Sequence, residues 1–539
     1  MQVLPDDASQ ARGDQARRNN IQAARMIAAV VRTSLGPRGM DKMLISYEGV
    51  ITITNDGATM LKDMRIEHPA GRILIELSKA TDGTVGDGTT SAVVLAGALL
   101  ERAEELLKKG LHPVVIVGGF ARASKRAVEA LEAASIGVEA GDRETLVKVA
   151  RTSMQTKVVA NAAGVLAEKV ADAALHVVQV RDDGRRVVDM KNIKVEKKAG
   201  GSVSDTQFIR GVTLDQKLVH PDMPRRIEKA RIAIINSPFK IKTPAFSGMI
   251  TIRDASKLTQ FLDEEVRMVR SMVEKVRSTG ATMLICQKEI DDVAQSLFAR
   301  AGINAVQKAY EYEMARTAKA VGARIVDDYD DLRPEDLGYA DAVEEKTLDE
   351  TKLLFIEGCR DPKAVTVLIR GGSKRVIEEA ERSVHDALMV AKDLLEEPAM
   401  VAGGGAAEAE AALQVRGWAE GLVSREQFAA EAFADALEEL PITLAENAGA
   451  DRINSAAELR SRHARGGRYY GVTAAGKVSD MVEAQVLEPL AVKRQVVLSA
   501  TEAASMILRV DNIVVRKPTD WHPQKGMERT PEMNAPPPE

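Results

Sequence analysis

The sequence predicts a multidomain α+β protein, mainly helical toward both ends and α/β in the middle. Three observations carry this expectation. At 539 residues and 45% hydrophobic, the chain is too long for one ordinary core and can fill about three. Glycine loops that feed helices stand near the start and again far downstream, at Gly403-Gly404-Gly405. From about residue 211 to 358, short apolar runs such as Ile232-Ala233-Ile234-Ile235 and Met283-Leu284-Ile285 alternate with helical stretches, the pattern of a separate α/β domain.

Taken in order, residues 19–35 read as a helix that a glycine loop interrupts at Gly36 and Gly39. Residues 50–54 are β-branched and run into Asn55-Asp56-Gly57, a strand and tight turn that put Asp56 at the strand's mouth. After Gly86-Asp87-Gly88, residues 89–108 have a helical composition and stop at Gly110 and Pro113. Residues 375–397 read as an amphipathic helix, with Val376, Ala380, Val384, Ala387, Ala391 and Leu394 on one face and Asp386 off it. Leu262, Val266, Val269, Val273 and Val276 form one helical stripe, and Phe261, Met268 and Met272 a second about 100° around. One stripe packs the helix, so the second either stays free, as an adaptable Met and Phe surface, or packs on the body or a neighbour. From Pro518 the chain is too proline-rich to pack and reads as disordered.

Composition excludes several functions. Only 3% of residues are aromatic, and 74 basic and 79 acidic side chains are interspersed to a net −5, which argues against a nucleic-acid or acidic-membrane binder. No apolar run reaches the roughly 18 residues of a membrane span, and the polar first twenty lack a signal peptide's apolar segment, so a cytoplasmic protein is expected. Cys286 and Cys359 form no CxxC pair, and Cys286 ends an apolar run as a buried strand thiol. The seven histidines lack zinc-ligand spacing, which leaves magnesium on carboxylates as the metal to expect.

The glycines, threonines and carboxylates have a common chemical sense. Glycine lets backbone approach an anion, bare amides at a helix start bind phosphate oxygens, and carboxylates hold a hard cation. The runs LGPRGMDKM at 35–43, NDGAT at 55–59 and GDGTTS at 86–91, the triple glycine, and residues 500–508 together resemble the group II chaperonins, the archaeal thermosome and eukaryotic cytosolic chaperonin. The resemblance is colinear from about residue 20 to 515.

It implies an ATP and Mg²⁺ site. Leu35, Gly36, Pro37 and Gly39 would line a phosphate loop, Asp87 would bind magnesium, and Gly88, Thr89, Thr90 and Ser91 would donate to phosphates. Asp386, which alone would be a solvated helix carboxylate, would position the hydrolytic water with Asp56 as its partner. Lys157 would sense the γ-phosphate, although the wording around it departs from the family's and an exposed lysine is the alternative. Glu488 would accept from the ribose, Gly404 would approach the nucleotide and Asp480 would lie near the base, with an ordinary acidic residue the alternative for Asp480.

The resemblance also implies a helical equatorial ATPase domain from residues 1–143 and 401–520, an intermediate hinge from 144–210 and 359–400, and an α/β apical domain at 211–358, followed by a tail at 521–539. A helical protrusion at about 245–276 would serve as a built-in lid, so that no separate co-chaperonin is needed. The expected assembly is a homo-oligomeric double ring that encloses unfolded protein clients. Thr81-Asp82-Gly83-Thr84-Val85 is less acidic than is usual ahead of GDGTT, the mark of a divergent archaeal or bacterial member. A small-molecule kinase on the same ATP site lacks any acceptor motif here, and a holdase without turnover would have no use for Asp56, Asp87 and Asp386 together.

Overall fold

The computed structural model describes residues 8–46, 49–157, 159–241, 255–348, 351–360 and 363–516. The proline-rich tail and residues 245–254 of the expected protrusion lie outside the described residues.

Both chain ends build one helical core. Thr89–Lys108 runs through its centre, with every residue from Ala92 to Leu100 buried, as a helix apolar all round must be. Around it pack Gly13–Arg32, Pro113–Ala133, Glu426–Asn447 and Leu490–Arg509, joined in one cluster that includes Ile21, Leu95, Phe120, Phe433 and Ile507. Phe120 and Phe433 meet edge to face at 5.8 Å, so the returning C-terminal segment completes what the N-terminal one begins. Strand Ala8–Arg12 pairs antiparallel with Asn512–Arg516, which ties the two ends directly. The first helix starts at Gly13 and ends at Arg32, earlier at both ends than residues 19–35, because Ser34 and Leu35 already turn back to Val31 and Arg32.

The middle of the chain folds around a seven-stranded mixed sheet. Its order is Asn304–Val306, Met283–Cys286, Arg226–Ile235, Gly338–Leu348, Thr351–Glu357 and Gly211–Leu214, with Ile325–Val326 also on Arg226–Ile235. Alternation along the central strand sends Ile232 and Ile234 to one face and Ala233 and Ile235 to the other. Glu311–Val321 covers the first face; Ala255–Ser278 and Asp292–Arg300 cover the second. Val269, Val273 and Val276 are buried there, while Met268 of the second stripe stays 44% exposed and Met272 packs against the core. Cys286 is buried as expected, and burial pushes its thiol up to about 12.

Between these bodies lies a third core of helices Arg143–Gln155, Ala163–Val177 and Lys374–Glu396 against a small sheet, Ile193–Ala199, Val365–Gly371 and Gln207–Ile209. Val376, placed by its spacing on the apolar face, is 37% exposed because it sits in the first turn, where little packs over it. No described helix is long and apolar enough to cross a membrane.

Asp393, near the end of the Lys374–Glu396 helix, is buried, with one oxygen 3.5 Å from Lys392 and the other without a partner among the described residues. Burial pushes its carboxyl up to about 7 from an ordinary 3.8, which Lys392 opposes. A raised folded-state value means that stability is full below about pH 4 and is lost as pH rises through 7, with a cost when ionised of up to about 4 kcal/mol. Asp393→Asn should therefore melt well above wild type at pH 8 and by clearly less at pH 5, where only part of the stability has been lost, read by thermal midpoints. A gain of equal size at both values would assign the effect to packing.

Candidate active site

Two helices begin at one cavity, and neither start has a side-chain cap. Thr89–Lys108 follows Gly88 at φ +79°, and Ala406–Ala419 follows Gly405 at φ +78°. The first amides of a helix have no intrahelical acceptor, so two sets of donors with their dipole ends are left for an anion. At Gly405 a Cβ would come 2.5 Å from the Pro441 Cβ, and at Gly36, φ +86°, 2.4 Å from the Leu444 Cδ2. The positive φ favours glycine at both, and at Gly405 the Pro441 ring and backbone leave no room for a side chain. The cavity between them measures about 430 Å³, within the range of small-ligand sites.

The anionic end is built from four segments. Asp56 caps the Gly57–Asp63 helix through the Thr59 amide at 2.8 Å and accepts from the Thr89 hydroxyl at 3.2 Å. Asp87 accepts from the Gly88 amide at 2.7 Å and from the Ser153 hydroxyl at 2.5 Å. Lys157, just past the Arg143–Gln155 helix, points its ammonium at the Asp386 carboxylate and lies 3.5 Å from the Ser153 oxygen. A chain of contacts thus runs from Asp386 through Lys157 and Ser153 to Asp87.

Lys157 and Asp386 are both buried. Asp386 does lie off the apolar face of its helix, but it is not solvated, because the 152–157 segment covers that side. Burial pushes the Asp386 carboxyl well up; the Lys157 charge pulls it down and Asp56 and Asp87 push it further up. Burial works against the Lys157 charge too, but Asp386 and Asp87 outweigh it and hold the ammonium protonated. A carboxyl raised in this way is suited to taking a proton.

At the other end, the Lys493 ammonium lies 2.8 Å from both Glu408 and Glu488. The second oxygen of Glu408 is buried without a partner among the described residues, so a ligand's hydroxyl or amine has an acceptor waiting there. Leu440, Leu444 and Val486 give this end an apolar wall, and Gly404 brings backbone to it.

Of the residues singled out in the sequence, Leu35, Gly36, Pro37, Asp56, Asp87, Gly88, Thr89, Thr90, Ser91, Lys157, Gly404 and Glu488 all line this cavity. Gly39 and Asp480 do not. Gly39 closes the 34–39 turn by donating to Gly36 at 3.0 Å, where a Cβ would come 2.2 Å from the Ser34 carbonyl. The Asp480 carboxylate is occupied by the Val482 and Glu483 amides at 2.8 and 3.1 Å, a local turn cap. Asp386 reaches the site through Lys157 and lines a cleft behind it. No group of three or more possible metal ligands occurs among the described residues, so the donor set fits magnesium only with Asp87 and phosphate oxygens sharing it. Ser153, Glu408 and Lys493 were missed, although Ser153 stands four residues before Lys157 and one helical turn brings the two together.

The chain matches the TCP-1/cpn60 chaperonin family over residues 27–518. It is 48% identical over 516 residues to the thermosome subunit of Methanopyrus kandleri, covering 96% of this chain and 94% of that one. The thermosome subunit alpha of Archaeoglobus fulgidus is 47% identical over the same length, with the same shares covered. The thermosome subunit beta of Methanothermobacter thermautotrophicus is 44% identical over 537 residues, 99% and 98% of the two chains.

Proposed function

Because this chain belongs to the TCP-1/cpn60 chaperonin family, as a group II member, it is an ATPase that assists protein folding, and we propose how its residues divide that work. The observation that carries the proposal is the buried Lys157–Asp386 pair beside Asp56, at the end of a cavity with two uncapped helix starts. The nucleoside lies toward Glu488 and Gly404, and the phosphates lie on the amides and hydroxyls of Gly88, Thr89, Thr90 and Ser91. Asp87 together with phosphate oxygens would hold Mg²⁺, which when bound would supply neutralisation of the charge developing on the phosphates.

Lys157 then exchanges the Asp386 carboxylate for the γ-phosphate, and Asp386, freed, orients water with Asp56. The water oxygen forms a bond to phosphorus, the bond to the ADP oxygen breaks, and the water's proton passes to Asp386. The products are ADP and inorganic phosphate.

Residues 1–143 and 401–520 act as the nucleotide-binding equatorial domain, 144–210 and 359–400 as the hinge, and 211–358 as the client-facing apical domain. Lys157 and Asp386 both belong to the hinge segments, so nucleotide state biases the hinge through them. The working assembly is a cytoplasmic double ring of identical subunits that closes its own lid over unfolded protein. Electron microscopy of the purified protein with labelled ATP tests this: two stacked rings and label released to water are expected. A monomer, or label passed to a metabolite, would refute it.

Ser153→Ala removes the donor that holds Asp87 and the contact between Asp87 and Lys157. The Mg²⁺ concentration for half-maximal ATPase should rise several-fold, with Ser153→Thr restoring it. An unchanged Mg²⁺ requirement would reduce Ser153 to packing.

A further inference from the structure

Behind the catalytic carboxylates lies a second cleft of about 400 Å³. Asp56 lines both spaces, and the Lys157–Asp386 pair has its lysine on the first and its aspartate on the second. Asp56 and the Lys157–Asp386 pair therefore stand between the two spaces. Four potential cations line the far space: Lys62, Lys79, Arg382 and His385.

Its acids are largely committed. Asp56 caps a helix, Glu381 pairs with Lys197 at 2.5 Å and Asp386 with Lys157. Burial and the Asp56 charge hold the Asp82 carboxyl above the ordinary range, which weakens its opposition to an anion. Arg382 is held by Glu379 at 2.9 Å. Lys62 and Lys79 are exposed and have no ion-pair or hydrogen-bond partner among the described residues. The charge left free in this cleft is positive.

In-line displacement leaves the phosphate on the side away from ADP. ADP then fills the first cavity and blocks the way the nucleotide entered. On the reading of Asp386 and Asp56 given above, on which this inference rests, the far side is the second cleft. We propose that this cleft is the exit for inorganic phosphate, with Lys62 and Lys79 receiving the dianion once the Lys157–Asp386 partition opens.

The test is a single turnover of the assembled full-length protein, read in two ways. Acid quench reports all phosphate cleaved, and a fluorescent phosphate-binding sensor reports only phosphate set free. In Lys62→Gln/Lys79→Gln, cleavage should keep its wild-type rate while free phosphate lags it at least threefold behind the wild-type delay. Lys62→Arg/Lys79→Arg should restore prompt release. Free phosphate that keeps pace with cleavage in the glutamine variant would overturn the exit, as would equal slowing of both signals. Asp386→Ala in the same assay separates the two readings: normal cleavage there would remove the catalytic assignment and the exit with it, whereas lost cleavage with prompt release in the glutamine variant would remove the exit alone.

Discussion

Asp386→Ala should lower steady-state ATP hydrolysis by roughly 10²- to 10⁴-fold, the usual contribution of a positioned base, while ATP binds as tightly as to wild type or more tightly. The second half of the expectation comes from the pair. Lys157 is buried, and its ammonium is satisfied by Asp386 and in part by Ser153. Without the carboxylate, the remaining charge has a phosphate as its best available partner, so nucleotide gains what Asp386 gave up. Removing one member of a buried pair also destabilises, so thermal midpoints in the absence of nucleotide should fall and ATP should recover much of the loss. Asp386→Asn keeps the volume and loses the charge, and should share the kinetic defect with a smaller stability loss. ATPase measured beside calorimetric affinity decides the matter. Turnover within threefold of wild type would place the water-orienting group elsewhere, and ATP bound much more weakly would make Asp386 a binding residue. Asp87→Ala should differ by losing Mg²⁺-dependent binding as well.

The parts of this site that the sequence revealed are those whose chemistry is local. Gly88, Thr89 and Asp87 are neighbours in the chain, and a glycine ahead of a helical stretch states both the turn and the uncapped amides. Asp386 was less legible. Helical periodicity identifies one buried face of the 374–396 helix, but a second face is covered only because Lys157, 229 residues away, folds over it. Lys493 between Glu408 and Glu488 was hidden for the same reason, since no spacing rule links the start of one helix to the inside of another. Asp480 misled in the opposite direction, an acidic residue near a motif that turns out to cap its own turn. In the middle domain, alternation foretold buried strands, yet the order of the seven-stranded sheet depends on long-range pairing that no local pattern encodes. The two stripes of the 255–278 helix could not be ranked by period alone; Val269, Val273 and Val276 are buried, the methionines divide between core and solvent, and the side chains of Phe261 and Leu262 lie outside those described.

Lys157→Ala should slow ATP hydrolysis by about tenfold or more at the acid end of the pH range and much less at the alkaline end. Asp386 acts as a base only when ionised. Burial already pushes its carboxyl well up, and the Lys157 charge is the largest influence that pulls it down. With that charge gone the carboxyl moves up again, the ionised fraction at a given pH falls, and raising the pH restores it. A charge-assisted hydrogen bond is worth about 1.5–3 kcal/mol, and a tenfold effect needs only about 1.4. The same variant removes the contact through which the γ-phosphate would draw the hinge toward the nucleotide, so ATP-driven closure in small-angle scattering should weaken along with the rate. The two effects separate on pH, because alkaline buffer can ionise Asp386 but cannot replace the lost cation on the phosphate. A variant that recovers its rate at high pH and still closes poorly has lost both functions of one lysine. A rate depressed equally at every pH would mean that Lys157 serves the phosphate alone, and normal closure throughout would move the coupling contact to another residue of the hinge.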